Sequence, residues 1–374
     1  MYLDCNATTP VEAEVLKVVQ TFLLEEFGNA GSRTHSYGVR AKQAVQRARE
    51  QVAAVVHAKK DEVVFTSGAT ESNNIALLGL AEYGAKEGKK HIITTAIEHK
   101  AVLEPLERLE LQGFEITRLP VGETGRVERG AISESLRQDT LLVSVMQANN
   151  ETGIIQPIDD IADDMKDHEA FLHTDAAQTF GKELEPLRNP RIDLISISGH
   201  KIFAPKGVGA LVVRKRGYTR APLRPLMVGG GQERGLRPGT LPVALIAALG
   251  KASELAIRNH AERSERCADL RSAALRGLQP LDPVIVGDKE RTLSHVLNLS
   301  IGNLDSEALM VATKNLVAIS NGSACTSSSY TPSHVLMAMG LTEEEANCCI
   351  RLSWCHMTPD VDWPAFVDTV QSLI

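Results

Sequence analysis

The sequence predicts an α/β protein, a mostly parallel sheet with both faces covered by helices, joined to a smaller α+β region. Three observations predict it. Short apolar runs rich in Val, Ile and Leu recur between residues 62 and 211. Helical patterns alternate with these runs, and polar or glycine-bearing turns follow them, as in strand–helix repeats of an open sheet.

Tyr2 to Pro10 reads as an arm ending in a turn, and Val11 to Leu24 as an amphipathic helix. Gly28 to His35 is a polar loop before a second helix from Tyr37 to His57, rich in Ala, Gln and Arg. Glu62 to Thr66 is a strand. It runs into Ser67-Gly68-Ala69-Thr70-Glu71-Ser72-Asn73 and a helix through Ala81. A strand, a glycine turn and a helix N-terminus place backbone amides and the Thr70 hydroxyl where a phosphate can sit. Thr70 could equally be an N-cap alone.

Ile92 to Thr95 is the next strand, with Glu98-His99-Lys100 just beyond its carboxyl end, where open α/β sheets collect ligands. Phe114 to Leu119 and Thr140 to Val145 are further strands, the second leading through Asn149, Asn150 and Glu151. A helix from Ile158 to His168 precedes the strand Phe171 to Thr174, which delivers Asp175 and Gln178. The β-branched run Leu194 to Ile197 is a buried strand, and Ser198-Gly199-His200-Lys201 is the polar turn that follows, on the way to another strand at Leu211. Lys201 is either a solvated lysine on a turn or an amine kept reactive toward an aldehyde by burial and neighbouring cations.

Val228 to Thr240 is a glycine-rich loop carrying Arg234, Arg237 and Thr240, suited to act as a linker or to hold an anion. A long helical run from Pro242 to Arg276 follows, then strands near Val284 to Val286 and His295 to Ser300. Ser320 to Ser329 is a small-residue loop around Cys325.

Composition narrows the function. The 374 residues carry a formal charge of −7, with Lys and Arg dispersed, so direct nucleic-acid binding is not expected. No basic leader with an apolar stretch follows Met1, and no run of apolar residues is long enough to span a membrane; a cytoplasmic location is expected. The six cysteines lack a disulfide-domain spacing and are expected as thiols. Cys348, Cys349, Cys355 and His356 resemble a metal cluster in composition, but adjacent cysteines do not readily face one tetrahedral site, so no metal is expected. There is neither a GxxxxGK[ST] loop nor a GxGxxG fingerprint.

The strand ends gather Thr70, His99, Asn150, Asp175, Gln178, Ser198, His200 and Lys201. A phosphate seat, a lysine, a carboxylate and a planar imidazole are what a phosphorylated pyridine aldehyde needs: Lys201 for the aldehyde carbon, Asp175 to keep the ring nitrogen protonated.

In these motifs, together with Arg237-Pro238-Gly239-Thr240, Gly322-Ser323-Ala324-Cys325 and Arg351-Leu352-Ser353, the chain resembles the NifS/IscS-like cysteine desulfurases of the class-V aminotransferases. The resemblance covers nearly the full length. It implies the pyridoxal 5'-phosphate (PLP) enzymes of fold type I, with a mostly parallel seven-stranded sheet flanked by helices in a large domain. That domain would span 14–256, with 1–13 and 257–374 forming a smaller α+β domain that carries the cysteine loop.

By resemblance, Lys201 would bind the aldehyde and move the substrate α-proton, and His99 would stack on the ring. Asp175 would pair with the ring nitrogen and Gln178 with the phenolic oxygen. Thr70, Ser198 and His200 would hold the phosphate, joined by Thr240 from the other subunit of a homodimer. Asn150 and Arg351 would bind the carboxylate of L-cysteine. Cys325 would accept the sulfur as a persulfide and hand it to an acceptor protein, for DNA phosphorothioation, Fe–S clusters or tRNA thiolation. A selenocysteine lyase, another aminotransferase-fold enzyme, and a sulfur-transfer scaffold without catalysis are the alternatives. Several stretches depart from the usual pattern: Cys5-Asn6, the Gly28 to His35 loop, and Ser353-Trp354-Cys355-His356. The loop and the short C-terminus resemble the phosphorothioation branch.

Overall fold

The computed structural model describes residues 1–321 and 332–373. After the arm, the chain forms α1 (Ala13–Leu24), α2 (Ser36–Val55), β1 (Val63–Thr66), α3 (Ala69–Leu78), α4 (Ala81–Glu87), β2 (His91–Thr95) and α5 (Lys100–Glu110). Next come β3 (Glu115–Leu119), α6 (Ala131–Ser135), β4 (Thr140–Ser144), α7 (Ile158–Asp164), β5 (Phe171–Asp175), β6 (Leu194–Ser198) and β7 (Gly209–Val213). A two-stranded ribbon, β8 (Lys215–Arg216) and β9 (Thr219–Arg220), leads to α8 (Val243–Arg258) and α9 (His260–Leu278). The last part holds β10 (Val284–Ile285), β11 (Val296–Ser300), α10 (Ser306–Thr313), α11 (His334–Ala338), α12 (Glu343–Asn347), β12 (Cys349–Ser353) and α13 (Trp363–Gln371).

Among the described residues, seven strands form one sheet in the order β1-β7-β6-β5-β4-β2-β3. Strands β2 to β6 pair in parallel, and β7 runs antiparallel to both β6 and β1. The expected mostly parallel sheet is therefore present. Strands β1, β2, β4, β6 and β7 are buried at every position. That is why they read as near-continuous apolar runs without alternation: both faces are covered. On one face, α8 packs against α1 and α2, where Gly250 lets the α8 backbone approach Ala48 closely. On the other, α3 and α5 bury Ile75, Leu77, Val102 and Leu106 against Val64, Leu142 and Leu211.

A second core surrounds the three-stranded sheet β10-β11-β12, where Trp354, Phe366, Leu297 and Leu352 pack with Leu270 of α9. Leu3 of the arm is buried in this core, and Asp4 bridges to Ser353 of β12. The arm is thus a structural part of the smaller sheet.

Local boundaries differ from the sequence reading in three places. The helical run from Pro242 is two helices, broken at Asn259, whose backbone (φ −107°, ψ 16°) leaves the helical region. The helix after Thr70 ends at Leu78, and α4 starts anew at Ala81. Strand β12, carrying Arg351, was not expected from the pattern: Cys349-Ile350-Arg351-Leu352-Ser353 is buried throughout, including its arginine.

The β6–β7 pair meets the turn after β1 closely enough to require glycine at position 209. A Cβ on Gly209 would stand 2.3 Å from the Ile197 carbonyl oxygen and 2.6 Å from the Gly68 Cα, both rigid backbone. Gly209→Ala should therefore destabilise the protein by about 1–3 kcal/mol through overpacking, measured by chemical denaturation. An unchanged midpoint would show that the two backbones can separate at no cost.

Candidate active site

Every strand that delivers a polar turn does so at the carboxyl edge of the sheet. There a cavity of about 440 Å³ opens, lined among others by Thr70, His99, Asp175, Gln178, Lys201 and Arg351. Its size suits a bound small molecule.

Asp175 is the last residue of β5 and is buried. Its Oδ2 accepts from Asn73 Nδ2 at 2.7 Å and its Oδ1 from the Ala177 amide at 2.8 Å, so two neutral donors support the carboxylate. Asn73 was not singled out for this role. It lies one helical turn beyond Thr70 on α3, the spacing that puts two side chains on one face.

Lys201 ends the short 3₁₀ turn Gly199–Lys201 that follows β6. Its ammonium donates to the carbonyl oxygens of Asn6 and Ala7, the latter at 2.9 Å. The arm is fastened here by further bonds: Thr8 Oγ1 lies 3.2 Å from His200 Nδ1, and the Thr9 hydroxyl donates to the His200 carbonyl at 2.9 Å. Burial, with help from the Lys201 and Lys206 cations, pushes His200 down to about 4, so its imidazole is neutral. Gln178 donates to the Asn6 carbonyl at 3.1 Å, while its Oε1 is buried with no partner among the described residues.

His99 caps α5, its Nδ1 accepting the Ala101 amide at 3.0 Å. Burial lowers its pKa despite Asp175, and the ring proton is left on Nε2. The preceding Glu98 is wholly buried, accepting from Thr95 Oγ1 at 2.8 Å and from the Met146 amide at 2.9 Å. Burial pushes its carboxyl up to about 8.

At the far end, α3 starts at Ala69, with Gly68 as its N-cap, so Thr70 lies inside the first turn and is not the cap. Thr70 lines the cavity with Ser198, and a Cβ on Gly68 would stand 4.0 Å from Ser198 Oγ. The bare glycine, two hydroxyls and a helix N-terminus make an anion seat. Arg237 does not contribute its charge there: it pairs with Glu71 at 2.9 Å. Thr240 is not among the residues that line the cavity. Its loop is anchored elsewhere, by a buried ion pair between Glu233 and Arg49 that also takes the Phe65 amide at 2.7 Å.

Asn150 lines the same cavity, and its carbonyl accepts from Asn6 Nδ2 and from Arg351 Nη1, both at 3.0 Å. Arg351 Nη2 also donates to Asp4 at 2.6 Å, and its buried Nε has no partner among the described residues. Neither Asp4 nor Asn6 was expected in the site. Asn6 acts on Lys201 through its backbone carbonyl, which any residue type would offer, so no sequence signal exists. Cys325 lies outside the described residues. No group of three or more His, Cys, Asp and Glu that could hold a metal ion occurs among the described residues.

These groups fit PLP. The Gln178 amide N–H, the Asn73-supported carboxylate, the lysine and the anion seat match in chemistry its ring oxygen, ring nitrogen, aldehyde and phosphate.

The unfolded chain ionises Glu98 near its ordinary value of 4.5, whereas the fold keeps the proton to about 8, so ionisation drains stability as pH rises through that interval. Glu98→Gln should remove this loss. Its melting temperature relative to wild type should climb by several degrees from roughly pH 5 to pH 8, read by calorimetry. A constant offset across that range would mean Glu98 is ionised in the fold.

Residues 1–362 match the family described as aminotransferase class-V. Cysteine desulfurase IscS of Dechloromonas aromatica (strain RCB) is 45% identical over 361 residues, covering 96% of this chain and 88% of that protein. The crystal structure of DndA from Streptomyces lividans is 52% identical, with a TM-score of 0.83, covering 95% of this chain and 99% of that one. SspA, solved in complex with cysteine, is 37% identical with a TM-score of 0.82, covering 94% and 98%. Identity sustained over nearly the whole length, on a site built for the same cofactor, leaves one conclusion: the chain belongs to the class-V aminotransferase family, among its PLP-dependent cysteine desulfurases.

Proposed function

We propose that the protein removes the sulfur of L-cysteine, leaving L-alanine, and carries that sulfur as a persulfide on Cys325 for transfer to an acceptor protein. The observation that carries this reading is the convergence of Lys201, Asp175 and Gln178 on one cavity that Arg351 also lines.

Bound PLP supplies an electron sink for the bonds at the substrate α-carbon. The residues divide the remaining work. Asp175, which accepts from the Asn73 side chain and the Ala177 amide, would pair with the ring nitrogen. Gln178 would lie at the phenolic oxygen, and Thr70, Ser198 and the neutral His200 would hold the phosphate. Lys201 Nζ would bind the aldehyde carbon and would take and return the substrate α-proton. His99, neutral with its proton on Nε2, would lie against the ring and exchange protons at that atom. Arg351 and Asn150 hold the substrate carboxylate; the Arg351 Nε is the donor that Asp4 and the Asn150 carbonyl leave open. Cys325 as a thiolate takes the sulfur.

The protein is further proposed to work as a cytoplasmic homodimer, Thr240 of each subunit reaching the neighbouring phosphate seat. No helix among the described residues is long and apolar enough to cross a membrane. The proposed division into a 14–256 domain and a 1–13 plus 257–374 domain is supported by a core around the three-stranded sheet, although Val335 and Met339 join the core of the large sheet. DNA phosphorothioation is the proposed destination of the sulfur, supported by the 52% identity to DndA.

Cys325→Ala should retain the visible absorbance of the bound cofactor and lose sulfide and alanine production by about 100-fold or more, as removal of a nucleophile does; turnover retained in this variant would sink the persulfide route. Lys201→Ala should lose the visible band of the purified protein. A variant that keeps it would remove Lys201 from the aldehyde role. Alanine release with L-cysteine set against L-selenocysteine distinguishes desulfurase from lyase.

A further inference from the structure

Two of the departures from the usual family pattern, Cys5 and Cys355, meet in the fold. They form a small buried cluster with Phe203, 2% and 5% exposed respectively. The parallel bridge of Asp4 to Ser353 sets them side by side, with the Cys5 amide donating to the Ser353 carbonyl at 3.0 Å. The two side chains pack against each other there. Thr358 Oγ1 lies 3.8 Å from that sulfur on another side.

The surroundings differ for the two sulfurs. Cys355 lines a cavity separate from the cofactor site, shared with Lys182, Cys267, His295 and His356. Its volume of about 40 Å³ exceeds the roughly 10–15 Å³ that one water needs, and a peroxide molecule fits. Lys182 Nζ is buried 3.2 Å from His295 Nε2, an imidazole that burial keeps neutral. His356 pairs with Glu12 at 2.8 Å. The neighbouring Cys5 holds the Cys355 thiol below the usual range against its burial, and Cys355 together with burial pushes Cys5 up. Cys355 lines this cavity and Cys5 does not, so Cys355 is the sulfur a peroxide in the cavity meets first.

We propose that Cys5 and Cys355 are a peroxide-oxidisable pair that closes to a disulfide. The Cys355 thiolate attacks one oxygen of hydrogen peroxide, the O–O bond breaks, and the leaving hydroxide takes a proton to become water. Cys355 is then a sulfenic acid. The Cys5 sulfur attacks it, the S–S bond forms, the S–O bond breaks, and hydroxide leaves with the Cys5 proton as a second water. Two thiols are oxidised by two electrons, and one peroxide is reduced to two waters. Because Cys5 directly precedes the Asn6 and Ala7 carbonyls that hold Lys201, the new bond pins to β12 the arm that grips the cofactor lysine.

The test uses the holoenzyme of the Cys325→Ala variant, so that no persulfide forms, treated with hydrogen peroxide and then with a thiol-blocking reagent. Intact mass should fall by two hydrogens per chain, a digest should contain a linked peptide joining Cys5 to Cys355, and dithiothreitol should reverse both. The visible band of the cofactor should shift on oxidation and recover on reduction. Cys5→Ser should instead accumulate oxygen on Cys355, and Cys355→Ser should leave Cys5 unmodified under the same treatment. The wild-type chain carries the test should either variant fail to fold. Oxygen added to Cys355 in a chain that retains Cys5, or a linked peptide joining any other pair, would overturn the proposal.

Discussion

The ammonium of Lys201 rests against two backbone carbonyls of the N-terminal arm, and much of the site depends on that contact. A cation taken from water needs acceptors fixed in place, because leaving it unmatched costs several kcal/mol. The arm meets the need because it is held at both ends. Thr8 and Thr9 fasten it to His200, and Asp4 fastens it to Arg351 and to β12. Six residues of chain thereby connect the proposed cofactor lysine to the proposed substrate arginine. The seven-stranded sheet and the three-stranded sheet meet at this strap.

Buried carboxyls around the cavity have different partners. Asp175 receives an amide side chain and a backbone amide, and Lys201 and His99 stand near it across the cavity. Glu98 has donors too, but burial outweighs them and no cation answers it. Glu151 is pushed up to about 7 by burial, against the Ser333 hydroxyl at 2.5 Å and the Arg351 and Lys100 charges. The last contact also attaches α11 to the turn beyond β4, and His334 donates to the Glu98 carbonyl at 2.9 Å. Glu98 and Glu151 act as structural cross-braces, while Asp175 faces the cavity.

The large sheet was legible because its strands are buried on both faces. Val63 to Thr66 and Leu194 to Ile197 show unbroken apolar character, and their turns carry the polar residues that converge on the cavity. Strand β12 was not legible, since a short segment with a charged arginine at its centre does not read as a buried strand; pairing with β11 makes it one, and Asp4 and the Asn150 carbonyl take the arginine. The break at Asn259 was hidden for the opposite reason, as residues on both sides favour helix. In the site, side-chain roles such as those expected of Asp175 and Lys201 left a chemical signature. Backbone roles, such as those of Asn6 and Ala7, left none. Asn73 is intermediate, with only its helical spacing from Thr70 to mark it.

Strand β1 occupies an edge of the sheet and pairs only with β7 there, in the register Val63 to Val212 through Thr66 to Gly209. A further partner is Glu233, whose carboxylate takes the Phe65 amide and the Arg49 guanidinium, while Arg49 of α2 also donates to the Val63 carbonyl. Strand β7 and Glu233 lie far downstream, so during synthesis Val63, Val64 and Phe65 emerge from the ribosome with only the upstream α2 to cover them. A chain made from its N-terminus must keep this segment soluble through the synthesis of β2 to β6. The charged residues on either side, Lys59, Lys60, Asp61 and Glu62 before it and Glu71 after it, stand where gatekeepers against strand-to-strand association belong. The position of the first strand at the sheet edge is therefore as much a matter of birth order as of architecture.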